Sequence, residues 1–228
     1  MLKFENEFKR PIEKNRLATF LNLIIYIFII FLAVKTIDVL NEKWVYLAHL
    51  PIYIYFGMLF FYLLMEKFAY KGSGANGKQF KKYTRYLLLL FWWTLLTTPL
   101  LEYSFYQRYC LEITLGGVLL TVLGTFLRAW AILTLGKYFS VHIQVENEHR
   151  VVDTGPYQFI RHPAYAGNIL QAIGIPLILN AYFSLGISAI LIFLFLHRLM
   201  LEERILTREI KGYADYMTRT KKLIPKIL

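Results

Sequence analysis

Two short stretches hold most of the side chains that could do chemistry. One is His149-Arg-Val-Val-Asp-Thr-Gly-Pro-Tyr-Gln-Phe-Ile-Arg161-His162-Pro163, and the other is Arg198-Leu-Met-Leu-Glu202-Glu203-Arg204. Arg161-His162-Pro163 runs directly into an apolar helix pattern. Pro163 suits the first helical position, because its missing N–H would be unpaired there anyway. The free N–H groups and positive end of that helix would then face the loop, which makes a ready site for a carboxylate or phosphate. Glu202 and Glu203 would supply the opposite charge. A site with a cationic end and a carboxylate end suits a polar, zwitterionic cofactor. Two plainer readings fit the same spacing. Arg198 and Glu202 are four apart on one helix, the separation of an ordinary surface salt bridge. An Arg-His pair at a membrane rim also binds lipid phosphate. His142 and His149 have no ligand spacing with carboxylates, so no metal is expected.

The elements that would position these residues are apolar. The chain has 228 residues and is 57% hydrophobic, with a mean hydropathy of +0.45. Runs near the roughly 18–20 residues needed to cross a bilayer recur along it. They are Leu17–Val34, Trp44–Met65, Tyr86–Leu101, Ile113–Leu135, Ala164–Leu179 and Tyr182–Leu199. In lipid every backbone polar group must be satisfied internally, so such runs are helices. The expected fold is therefore an all-α integral membrane bundle of about six transmembrane helices. The last two form a tight hairpin, because only Asn180 and Ala181 separate them. No cleavable signal peptide is expected, since the first apolar run lacks a small-residue cleavage pattern. The single cysteine, Cys110, allows no internal disulfide and no cysteine-based metal cluster.

The net charge of +11 reads as topology. With the N-terminus in the cytoplasm, twenty-two Lys and Arg fall on the cytoplasmic side and three on the other, with Arg128 inside the fourth run. That asymmetry follows the positive-inside rule and places both termini in the cytoplasm. It also removes the need for a nucleic-acid partner. Arg128 is costly within a membrane, so it either faces the bundle interior or an interface, or snorkels to the nearby end. Lys71-Gly-Ser-Gly-Ala-Asn-Gly-Lys78 lacks the Gly-Lys-Ser/Thr ending of a phosphate loop and reads as a linker. Trp44, Trp92, Trp93 and many tyrosines near segment ends suit an interfacial aromatic belt.

Several runs together resemble the isoprenylcysteine carboxyl methyltransferase family, a relative of the membrane phospholipid methyltransferases. They are Leu135-Gly-Lys-Tyr-Phe139, His149 to Tyr157, Arg161-His-Pro-Ala-Tyr165-Ala-Gly167, Glu202-Glu203, Tyr213-Ala-Asp-Tyr216 and Leu223-Ile-Pro225. The likeness covers about residues 124–226; the first three helices match only as generic spans. It departs at Ile210-Lys-Gly-Tyr213, where the family often has Phe-Gly before its tyrosines. The resemblance implies S-adenosylmethionine as methyl donor, held in a cytoplasmic pocket. It implies that His149, Val151 and Val152 line the cofactor and that Gly155 and Tyr157 shape the loop. Arg161, His162, Pro163 and Tyr165 would meet the methionine end, and Gly167 would permit close approach. Glu202 or Glu203 would hold the ribose, and Leu223 would help close the adenine side. The chain then divides into helices one to three (1–112) and a methyltransferase core (113–228) within one structural unit.

Methyl transfer from a sulfonium is an in-line displacement, in which the protein supplies position and electrostatics. A carboxylate acceptor needs no base but needs a cation to orient it, for which Arg161 or Arg198 is the candidate. An amine acceptor would need a proton acceptor such as Glu203, Glu202 or His149. The expected acceptor is a lipophilic, isoprenoid-type carboxylate or thiol, or a prenylated molecule, entering from the membrane lipid. Phospholipid N-methylation is the alternative within enzymes. A non-enzymatic lipid-binding or transport protein is the alternative outside them.

Overall fold

The computed structural model describes residues 50–69, 78–80, 82–139, 143–145 and 151–223. All of them fall in one compact unit, Tyr46–Leu228. The first expected helix and His149 lie outside the described residues. The elements, in chain order, are α1 (Leu50–Ala69), β1 (Lys78–Phe80), α2 (Lys82–Tyr106), α3 (Leu111–Leu135), β2 (Ile143–Val145), α4 (Pro163–Ile178), α5 (Ser184–Glu209) and α6 (Tyr213–Arg219). Single 3₁₀ turns occupy Gly136–Tyr138 and Gly155–Gln158.

Four of these helices are long and apolar enough to cross a membrane: Leu50–Ala69, Tyr86–Tyr106, Leu111–Leu135 and Ser184–Glu209. Their outer faces carry Phe60, Leu90, Phe105, Leu119, Phe126 and Phe193 in the open, as a lipid-facing surface requires. The chain is thus a multi-pass membrane protein built as a helical bundle. The expected six spans are not all seen. Among the described residues four helices meet the length, and α4 does not, because it has 16 residues. Pro163 begins it, and Pro176 sits in its last turn. The expected hairpin of the last two segments is present, turning through 179–183 with Asn180 at φ 53°.

The bundle is not purely helical. Lys78–Phe80 pairs antiparallel with Ile143–Val145, with Lys78 opposite Val145 and Phe80 opposite Ile143. Three-residue strands are too short to leave a readable alternation in sequence. The linker expected at 71–78 therefore ends in a strand at Lys78; residues 71–77 lie outside the described residues.

The core is organised by the antiparallel pair α3 and α4. Gly117, Thr121 and Gly124 recur three or four apart on α3, as do Gly167, Gln171 and Gly174 on α4, and all six are buried. A Cβ added at Gly117 would lie 2.6 Å from the backbone nitrogen of Ile178, and one at Gly167 would lie 2.5 Å from the carbonyl oxygen of Gly124. The two backbones are therefore in contact. Lipid offers no hydrophobic drive to bring helices together, so close packing of small residues and polar links must do it. Thr114 Oγ1 donates to the Ile178 carbonyl at 3.0 Å, Asn180 Nδ2 to Thr114 Oγ1 at 2.9 Å, and Gln171 Nε2 to Thr125 Oγ1 at 2.9 Å.

At the end where α2 stops and α5 starts, Glu102 accepts the backbone N–H groups of Phe183 (3.0 Å) and Ser184 (2.8 Å) and the Ser184 hydroxyl (2.9 Å). A carboxylate on the first N–H groups of a helix satisfies orphan donors and opposes the positive dipole end. Tyr55 of α1 ties down α2 through its hydroxyl, which donates to the Leu96 carbonyl at 2.8 Å.

Adjacent glycines on α3 give a direct check. A Cβ at Gly116 meets nothing within 4 Å, whereas one at Gly117 strikes the backbone of α4. Gly117→Ala should lower stability by about 1–3 kcal/mol, the usual cost of overpacking. Gly116→Ala should be neutral or slightly stabilising. Thermal unfolding of the purified protein in detergent would show equal midpoints for the two variants if the helices were not in backbone contact.

Candidate functional site

The close α3–α4 packing fixes where the polar loop meets the bundle. Gly155 opens the 3₁₀ turn at φ +58°, a left-handed conformation that favours glycine. A Cβ there would also lie 3.0 Å from Thr134 Oγ1 at the end of α3. Tyr157 follows, buried, with its hydroxyl donating to the Ala131 carbonyl at 3.4 Å. The chain then reaches Arg161 and His162 and enters α4 at Pro163, the first helical residue, as the sequence implies.

The N-terminus of α4 is partly closed on itself. The His162 carbonyl accepts the N–H groups of Tyr165 (3.1 Å) and Ala166 (3.0 Å), and Pro163 has no N–H. The expected row of free donors is thereby reduced. The charge beside it comes from side chains instead.

Glu203 of α5 is the hub. Its Oε1 accepts from Arg161 Nε at 2.9 Å and lies 3.2 Å from His162 Nε2, and its Oε2 lies 2.9 Å from Lys222 Nζ. The Arg161 and Glu203 side chains are each 8% exposed. A buried carboxylate is tolerated only when paired and hydrogen-bonded, and this one has three partners. Arg161 NH1 also donates to the Met217 carbonyl at 3.1 Å and to the Thr220 carbonyl. The chain after α6 is drawn across the loop. Ile160 and Lys221 form a parallel bridge, Arg161 N–H donates to the Lys221 carbonyl at 2.7 Å, and His162 N–H donates to the Lys222 carbonyl at 3.2 Å.

Glu202 takes another direction on α5. Its Oε2 accepts the Tyr165 hydroxyl at 2.6 Å, and that same hydroxyl oxygen accepts from Arg198 Nε at 3.1 Å. Arg198 and Glu202 are therefore linked through a tyrosine of α4, which the simple i, i+4 reading did not foresee. Glu202 remains half-buried, while Arg198 is buried. The β2 strand also packs near α5.

Tyrosines of the tail complete the surround. Burial pushes the Tyr216 hydroxyl up to about 12, so it stays a neutral donor and gives its proton to the Tyr157 carbonyl at 2.6 Å. Burial, followed by the charges of Glu202 and Glu203, raises Tyr213 as well. Val151 packs against Ile210, Tyr213 and Tyr216.

Arg161, His162, Pro163, Tyr165, Arg198, Glu202 and Glu203 thus converge. Val152 is half-buried in the loop beside Val151, and Leu223 is half-buried at the end of the described tail. Gly167 sits apart, one turn into α4, where its close approach is to Gly124 and Arg128 of α3. Arg128 faces inward: its Nε pairs with Glu66 of α1, and its NH2 donates to the same carboxylate at 3.4 Å. Sequence reasoning missed Lys222, Thr220 and Glu66. Each meets its partner from at least 19 positions away in the chain, as in Lys222–Glu203 and Arg128–Glu66, beyond any local spacing rule.

Removing the hub should be expensive. Glu203→Ala would leave Arg161 buried without its carboxylate, and we expect a loss of about 3 kcal/mol of stability. Glu202→Ala should cost less, because Glu202 has the more open position. Denaturation midpoints of the two variants that failed to separate in this order would contradict the hub.

The sequence profile of the isoprenylcysteine carboxyl methyltransferase family matches residues 117–208, which span α3 through most of α5. Protein-S-isoprenylcysteine O-methyltransferase B of Arabidopsis thaliana is 30% identical over 113 residues, covering 48% of this chain and 57% of that protein. The Saccharomyces cerevisiae protein-S-isoprenylcysteine O-methyltransferase is 35% identical over 130 residues, covering 55% of this chain and 53% of that protein. The uncharacterized protein YpbQ of Bacillus subtilis is 30% identical over 125 residues, covering 55% of this chain and 72% of that protein. The chain therefore spans little more than half the length of the named methyltransferases it matches. A solved structure of a eukaryotic intramembrane Ras methyltransferase, isoprenylcysteine carboxyl methyltransferase, superposes with a TM-score of 0.52 at 25% identity, over 65% of this chain and 55% of that one. The matched region contains the α3–α4 pair, the Arg161-His162-Pro163 helix start and the two glutamates, and on these grounds the chain belongs to the isoprenylcysteine carboxyl methyltransferase family.

Proposed function

We propose that this protein is an S-adenosylmethionine-dependent methyltransferase that esterifies the carboxylate of a lipophilic, isoprenoid-type acceptor. The observation that carries the reading is the juxtaposition of Arg161–Glu203 and Arg198–Tyr165–Glu202 at the polar end of an otherwise apolar bundle. The names of the relatives supply the reaction class, and the lipid-facing helices fit an acceptor that arrives through the bilayer.

The residues present fit the donor. Its ammonium and ribose hydroxyls call for a carboxylate with unused lone pairs, and its carboxylate calls for a cation. Glu203 is committed to Arg161, His162 and Lys222. Glu202 has a single hydrogen-bond donor among the described residues, Tyr165. We therefore assign Glu202 to the donor and Glu203 to holding the loop, the helix start and the tail in register. Val151 and Leu223 offer apolar cover for the adenine, with Val152, Gly155 and Tyr157 shaping the loop side; the part expected of His149 falls outside the described residues. When bound, the donor supplies an electrophilic methyl group on a sulfonium.

The chain itself has to orient the acceptor and keep water away. A carboxylate acceptor is already a nucleophile and needs no proton removed. Arg198 is fixed by the Tyr165 hydroxyl and buried by its neighbours, which suits it to orient that carboxylate. Guanidinium–carboxylate pairs are geometrically specific and strengthen where water is excluded. An even number of crossings with both ends cytoplasmic, a core at 113–228, and membrane lipid rather than nucleic acid as surroundings complete the reading.

The test uses detergent-purified protein, methyl-labelled S-adenosylmethionine and an S-isoprenylated cysteine. Alkali-labile methyl incorporation is expected, and alkali-stable label would mean N-methylation instead. In calorimetry Glu202→Gln should weaken donor binding by about tenfold or more, the worth of a charge-assisted hydrogen bond. Unchanged donor binding in Glu202→Gln would remove that residue from the site.

A further inference from the structure

Beside the cluster just described lies an open cleft of about 400 Å³ lined by Met200, Glu203, Arg204, Thr207, Arg208, Met217 and Lys222. Its charge is unbalanced. Three cations border it against one carboxylate, and Glu203 is already taken by Arg161, His162 and Lys222. Arg204 and Arg208 are exposed and form no salt bridge among the described residues. They are four apart on α5 and therefore neighbours, an arrangement that is destabilising for like charges unless an anion sits between them. One cation at the end of α5 is welcome to the helix dipole. That accounts for Arg208 but not for Arg204, a full turn earlier; Lys222 reaches in from the tail to pair with Glu203.

The same face of α5 continues into the bilayer. Phe193, Leu196 and Met200 are all exposed on it, and Arg204, Thr207 and Arg208 follow them. Within one helical turn the surface changes from apolar to cationic. This is where a membrane helix passes from acyl chains to headgroups.

We propose that the cleft between Met200 and Arg208 binds the phosphate of an anionic phospholipid whose acyl chain lies along Phe193, Leu196 and Met200. Arg204, Arg208 and Lys222 provide the charge, and Met200 and Met217 provide adaptable apolar walls. The site is distinct from the proposed donor site, since neither Glu202 nor Tyr165 lines the cleft. The inference does not depend on the methyltransferase reading.

The experiment titrates phosphatidylglycerol, phosphatidylcholine and inorganic phosphate into the full chain in mild detergent, read by native mass spectrometry and thermal unfolding. Phosphatidylglycerol should bind saturably and raise the unfolding midpoint. The double variant Arg204→Gln/Arg208→Gln should weaken it roughly 10- to 30-fold. Lys211→Gln/Lys221→Gln, which removes exposed cations outside the cleft, should change it little. Equal weakening in both double variants would mean diffuse surface charge and overturn the site. Equal affinity for phosphatidylcholine, or displacement of phosphatidylglycerol by millimolar phosphate, would overturn the anionic lipid. Loss of S-adenosylmethionine binding in the arginine variant would assign the cleft to the donor and overturn its separateness. On wild-type protein, phosphatidylglycerol with a photoreactive acyl chain should label Phe193, Leu196 or Met200; label spread evenly over the exposed helices would refute the proposal without any variant.

Discussion

Backbone contact between α3 and α4 is the constraint on which the remaining architecture rests. Four glycines let two helices approach until a single Cβ would collide with the opposing main chain. Dispersion between closely packed atoms falls off steeply with separation, so this approach yields attraction that larger side chains would forfeit. It is also directional. Only one register matches Gly117 with Gly174 and Gly124 with Gly167, and the polar links at Thr114, Thr125, Gln171 and Asn180 fit that register. Because α4 starts at Pro163, fixing the register fixes the position of Arg161 and His162. The short, buried α4 thus acts as a positioning rod for the loop before it.

Charge then completes what packing begins. Near a bilayer an isolated buried ion is costly, and at Glu203 the charge is met by partners from other parts of the chain. Arg161 comes from the loop, Glu203 from α5, and Lys222 from the tail. Three segments are joined at one carboxylate. Arg128 and Glu66 play the same part between α3 and α1. Glu202 is handled differently, through a neutral tyrosine that also receives Arg198. The two adjacent carboxylates therefore have separate surroundings, one held by three basic side chains and the other by a tyrosine hydroxyl.

Much of this was legible in the sequence, and the reasons differ by residue. The spanning helices were readable because long apolar runs leave little choice in lipid, although α4, with 16 residues, falls short of the length of a span and is largely buried among its neighbours. Its burial depends on neighbours, and hydropathy does not register neighbours. Pro163 at the helix start and the tight turn at Asn180 were local signals and could be read directly. Arg128 could be singled out as anomalous, but its choice of Glu66 could not be read, because that pairing requires the fold. The different partners of Glu202 and Glu203 were hidden as well. Adjacent residues on a helix point about a hundred degrees apart, and only the surrounding elements determine what each one meets. The β1–β2 pair fell below the length at which a strand pattern can be recognised.

The tail that crosses the loop has a consequence for the order in which the parts can assemble. The helices pack through contacts among α1 to α5, whereas Lys222 reaches Glu203 from beyond α6. Until Lys221 and Lys222 fold back onto Ile160–His162, the loop lacks its last backbone partners and Glu203 lacks one of its cations. The helices can pack while the polar end is still unfinished. Packing of the membrane part and closure of the polar end are therefore separable, and the second waits on the tail folding back around Arg161.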